Sequence, residues 1–207
     1  MALIKNQQAE PVTEDERKLP RDCVNLVREL ENADPLVRRW AARDLADCPE
    51  AAADLVARLP RESEASVREI IFSTLTGLGN EIAVAGLVQC LRSEDAALRN
   101  EAIEGMKQLP DEVALIVRGL LADPDADVRI FTVNILESLR HPDVESWLIE
   151  VIERDPQVNV CATAVDLLGE VGSLAAQEPL KRLKARFTDE PYIQFAADLA
   201  LKRIAEG

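Results

Sequence analysis

Aromatic side chains, histidine and glycine are scarce in this chain. Phe, Trp and Tyr together make up 3% of its 207 residues, and it has one tyrosine, one histidine and eight glycines. So few aromatics and glycines argue against an all-β fold. The single histidine, His141, and the lack of any Cys-x-x-Cys pair leave too few ligands for a zinc cluster. We therefore predict that the chain holds neither a metal nor a cofactor.

Long apolar runs are also missing. No stretch approaches the ~20 apolar residues that cross a bilayer, and residues 1–20 contain no apolar segment followed by a cleavage-like site. We therefore expect a cytoplasmic, bacterial protein without membrane contact. In such a compartment, four cysteines are interpreted as buried, reduced thiols: Cys23, Cys48, Cys90 and Cys161.

Negative charge dominates what is present. Asp and Glu number 38 against 24 Lys and Arg, which gives a formal net charge of −14. A chain this acidic repels phosphate backbones, so nucleic acid is excluded as the main partner. The abundance of Ala, Leu and Val favours helices packed through small and medium side chains.

A short motif recurs along the chain: an acidic residue, then an apolar residue and usually Arg three positions later, then a helical apolar pattern. The apolar anchors are separated by 30, 31, 30, 32 and 33 positions. Further apolar or small residues follow each anchor at +4 and +8, on one side of a helix. The acidic residue at −3 is typical of a helix N-cap. The anchors are Val37, Val67, Leu98, Val128, Val160 and Ile193.

A second apolar pattern lies between these motifs and predicts a second helix in each repeat, as in "LVREL" at 26–30 and "LVARL" at 55–59. Helix pairs of this size bury their apolar faces only by stacking on copies of themselves. We therefore predict an all-α fold, an α-solenoid of five to six antiparallel helix pairs in a right-handed superhelix. Residues 20–207 form this single domain, and residues 1–19 form a flexible tail.

This pattern resembles the HEAT repeat, and in particular the short variety named after phycobilisome lyases (the E-Z type). The resemblance rests on Asp-x-x-Val-Arg with a following Ala and Leu, and it covers about residues 21–205. That family includes scaffolds, adaptors and a few enzymes, and we expect a non-catalytic scaffold or adaptor that binds protein partners. The alternative that the resemblance implies is an accessory lyase or chaperone that handles a tetrapyrrole, a bilin or haem, or its carrier protein.

Enzymes with related repeats are not supported by these residues. The HEAT-like hydroxylases carry paired His-Glu sites, whereas His141 is followed by Pro142. The HEAT-like DNA glycosylases need a cationic groove, and this chain is acidic.

The arginine after each anchor recurs together with the acid at −3. We predict a structural ladder in which each guanidinium pairs with the acid of a neighbouring repeat; a row that binds anions is the alternative. The ladder breaks in the fifth repeat, where Gln157 and Cys161 replace the pair, and Gln194 keeps it broken in the sixth. Its predicted members are Asp34, Arg38, Glu64, Arg68, Asp95, Arg99, Asp125 and Arg129.

A partner surface is predicted on the second helices, where equivalent positions are polar and varied; a solvated face would have the same composition. Trp147 is expected to be partly exposed beside Leu115 and to anchor a partner, or else to fill a gap at the helix edge. We expect a monomer or a weak homodimer, the latter through an apolar stripe at Trp40, Ile70 and Phe131. The predicted partner-binding residues are Arg28, Gln89, Leu115, Arg118, Trp147 and Glu150.

Overall fold

A computed structural model describes residues 22–206, so the predicted tail at residues 1–19 lies outside the described residues. Twelve α-helices and no strand occur between residues 22 and 206, which confirms the predicted all-α solenoid. The helices that carry the anchors are α2 (Pro35–Asp44), α4 (Ala65–Leu78), α6 (Ala96–Met106), α8 (Ala126–Leu136), α10 (Val158–Val171) and α12 (Pro191–Glu206). The second helices are α1 (Cys23–Glu29), α3 (Ala52–Arg58), α5 (Glu81–Cys90), α7 (Pro110–Leu121), α9 (Val144–Arg154) and α11 (Gln177–Arg186).

The helices form two rows that follow chain order. In the anchor row, α2 packs on α4, α4 on α6, α6 on α8, α8 on α10 and α10 on α12. In the second row, α3 packs on α5 and α9 packs on α11, whereas the packing of α1 against α3, and of α7 against α5 and α9, is sparse. The core therefore runs between the rows, and the second row is opened on both sides of α7.

The helix starts follow the chemistry that the sequence predicts. The carboxylates of Asp34, Asp95 and Asp125 accept the backbone N–H two residues later, at 2.9, 2.8 and 2.9 Å. Asn80 caps α5 by accepting the N–H three residues later, from Ala83 (2.9 Å). Just before it, Gly79 ends α4 with a φ of 55°, the left-handed conformation that glycine adopts most readily.

The anchors form the centre of each layer. Val67, Val128, Val160 and Ile193 have no exposed surface, and Leu98 is also buried. Val37, in the first repeat, is only half-buried. Each fully buried aliphatic side chain of this size stabilises the fold by roughly 1.5–3 kcal/mol.

The turn before each anchor helix is held by a residue that the sequence did not single out, five positions before the anchor. Its side chain accepts the N–H of the residue two positions later, at 2.8–3.1 Å. In the first four repeats, its carbonyl oxygen also accepts from the arginine that follows the anchor of the same repeat. The turn and the anchor helix are thus joined within each repeat. The turn residues are Asn32, Glu62, Ser93, Asp123 and Asp155.

The buried arginines Arg38 and Arg129 pair with the turn residue of the next repeat and not with a helix cap, so the predicted partner is wrong for these two arginines. Arg38 donates to both carboxylate oxygens of Glu62 (2.7 and 2.8 Å). Arg129 does the same to Asp155 (2.6 and 3.1 Å). The caps Asp34 and Asp125 are occupied by N–H groups of their own helices.

The middle of the ladder is weaker because the turn residue there is Ser93, which carries no charge. Arg68 instead forms an ion pair with the cap Asp95, the predicted partner, with 3.8 Å between nitrogen and oxygen. Arg99 donates to the Ser93 carbonyl (2.6 Å). Asp123, in the next turn, pairs with Arg92 and not with Arg99.

The predicted break at Cys161 is bridged by a residue from outside the repeat pattern. Arg186, at the end of α11, donates to the carbonyls of Glu153 (2.6 Å) and Asp155 (2.9 Å). The Asp155 carbonyl also lies 3.4 Å from the Cys161 sulfur. Arg186 of the last helix pair therefore holds the turn before α10 in place of the missing arginine.

The expectation of four reduced thiols is wrong for two of them. Cys23 of α1 and Cys48 form a disulfide across 25 positions, and it ties α1 to the turn after α2. In the chain-entropy model, a crosslink of this span stabilises by roughly 3–4 kcal/mol. Cys90 and Cys161 are free and buried, as expected.

Candidate functional site

Helix α7 lies between two open clefts, one on the side of α5 and one on the side of α9. It begins with Pro110 at its first position, which suits the fixed φ of proline. Val113, Val117 and Leu120 form its buried face and fix its rotation. The side chains beside this face consequently point into the two clefts.

The cleft between α7 and α9, which we call the charged cleft, has a volume of about 510 Å³. Glu150 of α9 lies between two arginines, with 3.9 Å to Nη1 of Arg118 and 2.5 Å to Nη1 of Arg154. Both arginine side chains are more than 70% exposed. Exposed pairs of this kind contribute little to stability, so these side chains are free to exchange partners.

The floor of the charged cleft is the buried pair of Arg129 and Asp155. Besides the two bonds to Asp155, the guanidinium donates to the carbonyl of Asp123 (2.7 Å). The hydrogen bonds that Arg129 donates to the Asp155 carboxylate raise the pKa of Arg129, against the opposing effect of burial. The floor is therefore a fixed, permanently charged element with its hydrogen bonds satisfied.

The cleft between α5 and α7, which we call the apolar groove, has a volume of about 610 Å³. Its α7 wall includes Leu115, whose side chain is 87% exposed, and the half-buried Ile116. A single exposed leucine is common, but a contiguous apolar surface is typical of a site that a partner covers, and Leu115 and Ile116 continue the apolar lining of this groove. The groove is lined by Gly79, Glu81, Val84, Ala85, Val88, Arg92, Glu112, Leu115, Ile116, Gly119, Leu120 and Asp123.

The structure brings together only part of the predicted partner surface. Arg118 and Glu150 meet in the charged cleft, and Leu115 lies on the opposite side of α7. Arg28 is exposed at a separate cleft beside α1, and Gln89 is exposed on α5 outside the lining of either cleft. Partner binding by these residues stays a prediction.

The expectation of a partly exposed Trp147 is wrong. Its side chain is 3% exposed, and the ring stacks on His141 with 4.8 Å between ring centroids. His141 itself accepts the N–H of Asp143 (3.2 Å) in the turn before α9. Trp147 therefore belongs to the core, because α9 directs this position inward beside Leu148.

Between residues 22 and 206, one group of three potential ligands converges, formed by Cys23, Cys48 and Glu50. Two of these are the sulfurs of the disulfide, which offer no thiolate. No helix in the same range is long and apolar enough to cross a membrane.

Sequence reasoning missed the apolar groove, although α7 carries a sign of it. Its stretch "VALIVRGLL" at 113–121 has more apolar residues than one buried face requires. Val113, Val117 and Leu120 fill that face, so Leu115 and Ile116 are the surplus. A second apolar stripe on one helix indicates a second contact surface.

The family model described as HEAT repeats matches residues 24–107 and 113–202. An archaeal HEAT-like repeats protein from Thermococcus onnurineus NA1 is similar in structure, with 16% identity over 89% of this chain and 87% of that one and a TM-score of 0.46. The complex of CpcE and CpcF of phycocyanin lyase from Nostoc sp. PCC7120 is similar at 18% identity over 98% of this chain and 100% of that one, with a TM-score of 0.39. No curated protein matches the chain.

Proposed function

Since the chain belongs to the HEAT-repeat family, we propose that it is a non-catalytic adaptor or scaffold that binds a protein partner through α7 and the two clefts beside it. The observation that carries this proposal is the opening of the second row at α7. Leu115 projects into one cleft and Arg118 into the other, so a partner that covers α7 contacts both an apolar and a charged surface.

The composition of this surface supports a protein partner. Interfaces combine an apolar centre with a polar rim, and arginine is enriched in them. The apolar groove supplies the centre, and the Arg118, Glu150 and Arg154 side chains supply the rim. A rigid stack behind them limits the entropy that is lost on binding.

The test is affinity capture of the full-length chain in its source organism, followed by quantitation of co-purified proteins. We expect a partner at near-stoichiometric yield, and we expect the double variant Leu115→Asp with Arg118→Glu to reduce that yield about tenfold or more. Leu36→Asp is the matched control, because Leu36 is also exposed (61%) but lies on α2. Equal capture by the double variant and the control would contradict the proposed surface.

A further inference from the structure

The apolar groove has the length and the periodicity of a binding site for one short helix. Val84, Ala85 and Val88 line it from α5, and Leu115, Ile116 and Gly119 line it from α7. Each set recurs at three to four positions, so each forms one stripe along its helix. Glu81 and Arg92 lie at opposite ends of the α5 wall, eleven residues apart, which corresponds to about 16 Å or three helical turns.

The groove is open because of the residues at its walls. Between α3 and α5, a Cβ atom added to Gly86 would lie 2.2 Å from Val56, so these two helices touch through the glycine. The α7 wall of the apolar groove instead carries Leu115 and Ile116, and a Cβ atom added to Gly119 would meet nothing within 4 Å. Helices α3 and α5 are therefore in direct contact, whereas a gap remains between α5 and α7.

The two ends of the groove differ in charge. Glu81, the first residue of α5, and Glu112, in the first turn of α7, both line one end. Within residues 22–206, neither carboxylate forms an ion pair. At the other end, Arg92 is paired with Asp123. A ligand that spans the groove therefore meets unpaired negative charge at one end only.

We propose that the apolar groove binds an amphipathic helix of about three turns from a partner protein, with an aliphatic face and with Lys or Arg at the end that meets Glu81 and Glu112. A helix is favoured over an extended segment because its backbone hydrogen bonds are internal, whereas a strand would bury unpaired N–H and C=O groups against Val84, Val88 and Leu115. The inference rests on the proposed function, of which it names the site and the class of partner.

The test is a selection with a displayed library of 16-residue helical peptides, followed by fluorescence anisotropy with an enriched peptide and the full-length protein. We expect enriched peptides to carry aliphatic residues at i, i+3, i+4 and i+7 and basic residues at one end. Replacing those basic residues with Glu should weaken binding about tenfold or more, and Glu81→Lys with Glu112→Lys should restore the affinity of the acidic peptide.

Position 119 allows a steric block with a matched control. Gly119→Trp should weaken peptide binding about twentyfold or more by filling the groove, whereas Gly119→Ala leaves it open and should keep affinity within about twofold. Gly77→Trp makes the same change on α4, where a Cβ atom also meets nothing within 4 Å. Far-UV circular dichroism and the melting temperature confirm that all three variants fold.

Each outcome supports or overturns the inference. No enrichment of helical peptides, enrichment without a basic end, or equal affinity of Gly119→Trp and Gly77→Trp would overturn it. Self-association of the protein that Gly119→Trp abolishes would identify a second copy as the occupant and would likewise overturn it. If a native partner is captured and no enriched peptide competes with it, the inference fails while the proposed function stands.

Discussion

Arg38 of α2 and Glu62, in the turn before α4, form a buried two-point ion pair that joins consecutive repeats. The two contacts are 2.7 and 2.8 Å long, and the Glu62 carboxylate also accepts the N–H of Glu64 and two bonds from Arg58. The carboxylate is therefore fixed by three groups, and the Arg38 guanidinium also donates to the carbonyls of Asn32 and Ala33.

Removing one partner of this pair should destabilise the protein more than removing both. Glu62→Leu leaves Arg38 buried without a counter-charge, at a cost of about 3 kcal/mol. The cycle of the native protein, Glu62→Leu, Arg38→Met and the double variant should show a coupling energy of about 2 kcal/mol or more. Urea unfolding of the four proteins measures this. The exposed pair Lys181 and Glu178 is the control and should show no resolvable coupling. Additive effects at Arg38 and Glu62 would contradict the pairing.

Glu62 should also make stability depend on pH in acid. The hydrogen bond from Arg38, aided by Arg58 and by the N–H of Glu64 and opposed by burial, lowers the pKa of Glu62 from its ordinary 4.5 to about 2. Because the folded pKa is depressed, the stabilisation is complete above pH 4.5 and is lost as the pH falls from there to about 2. Between pH 5 and pH 3, the unfolding free energy of the native protein should fall by more than that of Glu62→Gln. Parallel losses would show that another group is responsible.

A thiol reagent should distinguish one disulfide from two buried, unreactive thiols. Burial raises the pKa of both Cys90 and Cys161 to about 11, so neither is a reactive thiolate at pH 8. A thiol reagent should detect no fast-reacting group in the native protein, two groups after denaturation and four after denaturation with reductant. Four groups in denatured, unreduced protein would show that Cys23 and Cys48 are not joined.

The two tryptophans should respond differently to substitution. Trp147→Ala removes a buried ring that packs on His141 and should lower the unfolding free energy by roughly 3–5 kcal/mol. Trp40 is 46% exposed and lies beside the Arg43 guanidinium, so Trp40→Ala should cost about 1 kcal/mol or less. Chemical denaturation compares them. Similar losses at both positions would contradict the burial of Trp147.

The repeat predicted the fold because its spacing and its helix-start residues are local properties. The anchors at Val67 and Val128 and the caps at Asp34 and Asp95 each depend on one helix and its own turn. The pairing of Arg38 depends instead on which of several acids in the next turn faces back toward α2, which spacing does not determine.

The disulfide and the groove escaped prediction for the same reason. Cys23 and Cys48 meet because α1 lies against the turn after α2, which is a matter of packing. Leu115 was predicted to bind a partner, but the groove beside it depends on how far α7 stands from α5. The sequence left two positions open for Trp147, exposed or packed, because an aromatic residue next to a core leucine is compatible with both, and the structure buries it.

The most direct test of the proposed surface is hydroxyl-radical footprinting of leucines in the free protein and in its complex with the captured partner. Leu115, Leu36 and Leu174 are all exposed in the free chain, at 87%, 61% and 71%, and lie on α7, on α2 and just before α11. We predict that the partner lowers the oxidation of Leu115 severalfold and leaves Leu36 and Leu174 unchanged. Oxidation of Leu115 at the same rate in the complex as in the free protein would contradict binding through α7.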